Sequence, residues 1–278
     1  MTATATPAAT TLVDSGLAPV GELEMYYEIH GTPGAGDVPV VLIHGALSAI
    51  GTSFGAVLPL LAEQRQVIAL DLQAHGRTAD IDRPFSTAAF AADVAGLLRH
   101  LGVAKADVFG YSLGAGVALQ VALDRPELVR KLVLTSVSYT TAGIHPGLLD
   151  GIAELQPEHL AGSPFEAEYA EVAPRVEDWP RLIERVKEFD AAPAEWTEAQ
   201  VSGIDAPVML VIGDSDIIRP EHAVEMFRLL GGGVAGLPRA RLAVLPGATH
   251  ITVMHRGTWL AAIVGDFLDA EDPAAGES

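Results

Sequence analysis

Cysteine is absent from the 278 residues, which removes disulfides, thiolate metal sites and a cysteine nucleophile together. No apolar stretch approaches the roughly 18 residues needed to cross a bilayer. Cationic residues are scarce: 17 Lys and Arg stand against 36 Asp and Glu, giving a formal charge of −19 at pH 7. Such a surface repels phosphate, so nucleic acid and anionic membranes are not expected as partners, and the acidity serves solvation. Residues 1–11 contain no Lys or Arg and lead into no apolar segment of the signal-peptide kind. Residues 1–19 are therefore expected to form a disordered tail and 271–278 an acidic one, and the missing cysteines fit a cytoplasmic location. A zinc pattern of the His-x-x-x-His kind and a phosphate loop ending in Lys are also lacking, and Gly231-Gly232-Gly233 follows a helical pattern rather than a strand. Neither metal nor cofactor is expected.

What is present is an alternation of short apolar runs with longer helical patterns, the mark of a mostly parallel sheet covered by helices on both faces. The runs are Leu23 to Ile29, Val38 to Ile43, Gln66 to Leu70, Ala106 to Phe109, Lys131 to Thr135, Val208 to Ile212 and Arg241 to Leu245. Most of the later ones are continuously apolar, as strands buried on both faces should be. The first partly alternates and suits an antiparallel edge. Helical patterns cover Ser86 to Leu101, Leu113 to Leu123, Pro220 to Leu230 and Thr258 to Leu268. Between about Ser138 and Asp205 no strand pattern occurs, while Leu148, Leu149, Ile152 and Leu155, then Leu182, Ile183 and Val186, recur at helical spacing among many Glu and Pro. A crossover rarely needs so long a segment. The division is thus a core at 20–137 and 206–270 with a helical cap inserted at 138–205.

Gly110-Tyr111-Ser112-Leu113-Gly114 lies between an apolar run and a helical run. A serine at a sharp strand-to-helix turn is lifted clear of the sheet, and both flanking glycines avoid collisions with the neighbouring strand and helix. A hydroxyl is a weak nucleophile, so Ser112 needs a base, and the base needs a third group to orient it. His250 directly follows the last strand, in Leu245-Pro246-Gly247-Ala248-Thr249-His250, and the carboxyl edge of a parallel sheet is also where Ser112 must lie. The preceding strand ends in Gly213-Asp214-Ser215-Asp216. Either carboxylate fits that loop; Asp216 is preferred because it lies further into the loop, whereas Asp214 suits turn hydrogen bonds. Negative charge developing on an attacked carbonyl needs fixed donors. The N–H of Leu113 supplies one, and that of Ala46, in His44-Gly45-Ala46-Leu47 after the second strand, supplies the other. His44 is expected to fix this loop, and Asp71-Leu72-Gln73-Ala74-His75-Gly76-Arg77 to pin the next one. Tyr111, Tyr139 and Leu47 are expected to line a substrate pocket.

With these motifs in this order, the chain from about residue 20 to residue 270 resembles the α/β-hydrolase superfamily, most closely its capped branch of small esterases, enol-lactonases, carbon–carbon bond hydrolases and cofactor-free haloperoxidases or perhydrolases. The resemblance implies an eight-stranded sheet with a helical cap after the sixth strand. It assigns Ser112 as nucleophile, Asp216 as acid, His250 as base, and Ala46 and Leu113 as oxyanion donors. Ala74 departs from the glycine this family often has. The expected activity is hydrolysis of a small carboxylic ester or lactone through an acyl-serine, by a monomer or a homodimer. The competing readings are carbon–carbon bond hydrolysis or perhydrolysis in the same site, and a ligand receptor built on the same scaffold.

Overall fold

The computed structural model describes residues 12–33, 38–233 and 239–271. Among these, the strands are β1 (Leu12–Val20), β2 (Leu23–His30), β3 (Val40–Ile43), β4 (Val67–Leu70), β5 (Ala106–Tyr111), β6 (Val129–Thr135), β7 (Val208–Ser215) and β8 (Ala240–Thr249). The α-helices are α1 (Ile50–Phe54), α2 (Leu58–Ala62), α3 (Thr87–His100), α4 (Leu113–Asp124), α5 (Leu148–Ala153), α6 (Pro164–Val172), α7 (Trp179–Asp190), α8 (Glu198–Ser202), α9 (Pro220–Leu229) and α10 (Gly257–Asp269). No described helix is long and apolar enough to cross a membrane.

The strands form one eight-stranded sheet in the order β1-β2-β4-β3-β5-β6-β7-β8. From β3 to β8 every pairing is parallel, whereas β2 runs antiparallel to both β1 and β4. Two expectations are corrected here. Residues 12–20 are not tail but β1, and β2, expected at the edge, has β1 outside it. The remaining parts of the two expected tails, 1–11 and 272–278, lie outside the described residues.

Successive side chains of a strand point to opposite faces, and β3 shows why its four residues are all apolar. Val41 and Ile43 pack with Phe90, Val94 and Leu97 of α3 and Val117 and Val121 of α4, while Val40 and Leu42 pack with Phe54, Leu61, Leu260 and Val264 of α1, α2 and α10. Helices thus cover both faces. Ser86 starts α3 by accepting a hydrogen bond from Ala89 N, satisfying a donor that the helix cannot.

Between β6 and β7 the chain forms α5 to α8 and three 3-10 turns, one ahead of each of α5, α6 and α7. Its prolines explain the short lengths. Pro157, Pro164 and Pro180 each sit in the first turn of a helix, where a missing N–H costs nothing and the preceding helix cannot continue. Leu182, Ile183 and Val186 form the apolar stripe of α7 and pack with Tyr169, Trp179 and Ala74.

Candidate active site

β3 and β5 are neighbours, Ile43 lying opposite Gly110, and the chain leaves them toward opposite sides of the sheet. Such a divergence opens a crevice at the carboxyl ends of the strands. Ser112 stands at its floor, where the chain turns from β5 into α4 with φ 53° and ψ −120°. A residue with a Cβ held there stores on the order of 1–3 kcal/mol of strain. The flanking glycines make the turn possible. A Cβ on Gly110 would collide with Gly114 O and Ala115 Cα, and one on Gly114 with the carbonyls of Ile43 and His44.

Ser112 Oγ is 2.9 Å from His250 Nε2, and His250 Nδ1 is 2.8 Å from Asp216 Oδ1. An ionised carboxylate only accepts, so Nδ1 carries the ring proton and Nε2 is free to accept from the serine hydroxyl. The sheet brings these groups together because β7 and β8 are paired neighbours, β7 ending one residue before Asp216 and β8 one residue before His250. Tyr111 steadies the histidine: its O–H donates to His250 O at 3.0 Å, and the ring centroids are 5.6 Å apart.

Asp216 is buried, and burial alone would raise its carboxyl. Hydrogen bonds from His250, from Ser136 Oγ at 2.5 Å and from Gly213 N at 3.1 Å outweigh that, so it lies below the usual carboxylate value and stays ionised. Ser136 was not anticipated from the sequence. It directly follows β6 with φ 58°, at the same carboxyl edge as the other groups, and that position was the one available signal. Asp214 is exposed and accepts from Gly247 N at 2.9 Å and Ala248 N at 3.2 Å, bonds that lower its carboxyl and close the turn ahead of His250.

The loop after β3 is fixed from below. Leu72 N donates to His44 Nε2 at 2.9 Å, while His44 Nδ1 donates to Gly45 O at 2.7 Å. Burial lowers this imidazole to about 4, so it is neutral and braces the loop rather than exchanging protons. Ala46 and Leu47 of this loop line the crevice together with Leu113. Leu113 opens α4, so its N–H has no partner within the helix. Asp71 pins the next loop, accepting from Ile50 N at 3.2 Å and Arg77 N at 2.9 Å, and burial pushes its carboxyl up to about 7. Ala74 in that loop has φ 65°, the conformation for which glycine is preferred. Its methyl packs into the cap cluster.

Above Ser112 the crevice becomes a cavity of about 440 Å³, lined from the cap by Leu148, Ile152, Phe165, Val186 and Phe189. Of the three residues expected at a substrate pocket, Leu47 and Tyr111 line this cavity and Tyr139 does not. Tyr139 instead stacks on His222 with centroids 4.5 Å apart and donates to Glu225 Oε1 at 2.6 Å, which places its ring against α9. Burial and the Glu225 contact push this phenol up to about 12. The sequence placed Tyr139 near the pocket because it follows β6, but its partners lie more than eighty residues further on, beyond the reach of a local pattern. Asp190, which does line the cavity, was not singled out from the sequence.

A model of the alpha/beta hydrolase fold matches residues 38–256. The chain belongs to the alpha/beta hydrolase fold family. Among its relatives, this hydrolase is 30% identical over 253 residues to a pimeloyl-[acyl-carrier protein] methyl ester esterase of Neisseria meningitidis serogroup B, covering 83% of this chain and 92% of the relative. It is 28% identical over 263 residues to a 2-hydroxymuconate semialdehyde hydrolase of Pseudomonas sp. strain CF600, covering 87% and 90%. The 2-hydroxy-6-oxo-6-phenylhexa-2,4-dienoate hydrolase of Rhodococcus sp. strain RHA1 has the same fold, with a TM-score of 0.73 at 21% identity over 94% of this chain and 100% of the other.

Proposed function

We propose that this member of the family is a serine hydrolase that cleaves small carboxylic esters or lactones through an acyl-Ser112 intermediate. One observation carries the reading: the unbroken hydrogen-bonded series Ser112 Oγ, His250 and Asp216, with separations of 2.9 and 2.8 Å, opening onto a cavity large enough for a small acyl group. In this reading Ser112 Oγ attacks the carbonyl carbon while His250 Nε2 takes its proton, and Asp216 stabilises the imidazolium that forms. The carbonyl oxygen, now negative, is met by the N–H groups of Ala46 and Leu113. Collapse breaks the ester bond, and His250 returns the proton to the leaving alkoxide. Water then repeats the sequence on the acyl-enzyme and releases the acid. The cavity wall is mostly aliphatic and aromatic, and among its described residues there is no Lys or Arg, which favours an acyl chain without negative charge.

The relative named a 2-hydroxymuconate semialdehyde hydrolase supports a second reading, carbon–carbon bond hydrolysis in the same site. A dienoate substrate is an anion, and the described wall offers it no cationic side chain. Turnover of p-nitrophenyl esters of graded acyl length, beside a vinylogous diketone and peroxide plus acetate, tests the choice. The expected result is ester cleavage in excess of the other two activities, lost in Ser112→Ala with the fold intact. Diketone cleavage as the faster reaction favours the second reading, and ester cleavage retained by Ser112→Ala overturns both.

A further inference from the structure

Ester hydrolysis uses the floor of the cavity and leaves one group on its wall unexplained. Asp190 is the last residue of α7 and lines the cavity with Val186 and Phe189 of the same helix and Pro193 and Ala194 just beyond it. Among the described residues its carboxyl has neither a hydrogen-bond nor an ion-pair partner, and burial pushes it up to about 6. The nearest cation along its own helix, Lys187, is occupied by Glu184 at 2.8 Å. A negative charge at the C-terminal end of a helix also meets the negative end of the peptide dipoles. The location is therefore unfavourable for an aspartate on two counts: no donor from the described residues and an opposing dipole.

Four buried carboxylates among the described residues are satisfied. Asp71 has two backbone donors, Asp93 a two-point contact with Arg83, and Asp107 a two-point contact with Arg130. Asp216 has His250 and Ser136. Asp190 differs in that its open side is the substrate cavity. Apart from His250, it is the one ionisable acid or base of Asp, Glu, Lys, Arg or His type among the described wall residues. A chain with a net charge of −19 also draws small cations toward its clefts.

Resting on the ester-hydrolase reading above, we propose that Asp190 is a specificity-determining residue. It pairs with a positively charged ammonium group on the non-reacting part of a substrate whose carbonyl sits at Ser112. The cation supplies the partner that the wall lacks, and the ionised carboxylate supplies the counter-charge that an ammonium needs inside an apolar cavity. The chemistry at Ser112 is unchanged. Asp190 acts on which esters are chosen, through the affinity for the cationic end.

Two p-nitrophenyl esters of equal acyl length, one ending in trimethylammonium and the other in its neutral isostere, tert-butyl, read this directly. The quantity is the ratio of their kcat/KM values, compared between the wild type and Asp190→Asn at about pH 8, where the carboxyl is ionised. The ratio is expected to fall by about tenfold or more in Asp190→Asn, the size of one partly buried Coulombic contact between a carboxylate and a quaternary ammonium. An unchanged ratio overturns the proposal and leaves ester hydrolysis standing. Calorimetric binding of an alkyltrimethylammonium ion to Ser112→Ala, with and without Asp190→Asn, separates the two claims. Binding that depends on Asp190 in a protein whose wild type cleaves neither ester keeps the cation site and rejects the ester reading. Binding indifferent to Asp190 rejects the cation site.

Discussion

Strands β3 to β5, whose following loops floor the cavity, and helices α5 to α7, which line its other side, are stabilised in different ways. Every residue of β3, β4 and β5 is buried, and each strand is packed by helices above and below. The cap has a small apolar cluster around Trp179 and Ile183, and much of its hold on the core is polar. Arg181 and Arg185 of α7 lie 3.1 and 2.8 Å from Asp80 Oδ2, an ion-pair rather than a directed hydrogen-bond geometry, and Arg185 also donates to the carbonyls of Ile81 and Arg83. Glu168 of α6 accepts from Ala49 N, Thr52 N and the Thr52 hydroxyl at the start of α1. The groups proposed to react stand at strand ends of the sheet, Ser112 after β5, Asp216 after β7 and His250 after β8, and most groups that shape the acyl chamber stand on the ion-paired cap. Chemistry and selectivity are therefore separable by mutation.

The largest expected effect tests the sheet side. Asp216→Asn leaves the ring of His250 in place but removes the charge that selects its tautomer, so kcat should drop by about 10⁴-fold with little change in KM. Steady-state kinetics with one short ester checks this, and a drop under tenfold would break the assignment of Asp216. On the cap side, Asp80→Asn leaves Arg185 half-buried without its counter-ion. Stability should fall by roughly 2 kcal/mol, less than for a fully buried pair because Arg181 is exposed. Thermal unfolding measures that loss. Its kinetic signature should be a raised KM with kcat nearly kept, the reverse of Asp216→Asn.

The smallest effect sharpens the boundary. Ser136→Ala removes one donor to Asp216, so the carboxyl should rise back toward its ordinary value. A carboxylate depressed in the folded state contributes stability above its unfolded value and loses it as the pH falls through its folded value. In Ser136→Ala that loss should be smaller and should be complete at a higher pH than in the wild type, and kcat at neutral pH should fall about tenfold, as for one charge-assisted hydrogen bond. Acid titrations of stability, run side by side, read the displacement. Identical acid limbs would remove Ser136 from the site.

Much of the sheet was legible in the sequence because strands buried on both faces show as uninterrupted apolar runs. β1 was not, for the converse reason. Leu12, Val13 and Leu17 are exposed, so its pattern carries neither the continuity nor the alternation that marks a strand, and only its register with β2 defines it. At the site, Ser112, His250 and Asp216 were legible because each directly follows a strand of a parallel sheet, and strand order brings such positions to one edge. Ser136 meets the same condition but lacks a motif around it. Tyr139 and Asp190 depend on how the segment after β6 folds back. Tyr139 turned away to α9, and Asp190 turned inward, and no local spacing distinguishes those outcomes.

The most direct test of the central claim is labelling with a fluorophosphonate, followed by peptide mapping. A single adduct on Ser112 is expected, slowed by His250→Gln, absent in Ser112→Ala and competed by short-chain esters. An adduct on any other serine, or undiminished labelling of Ser112→Ala, would contradict the account.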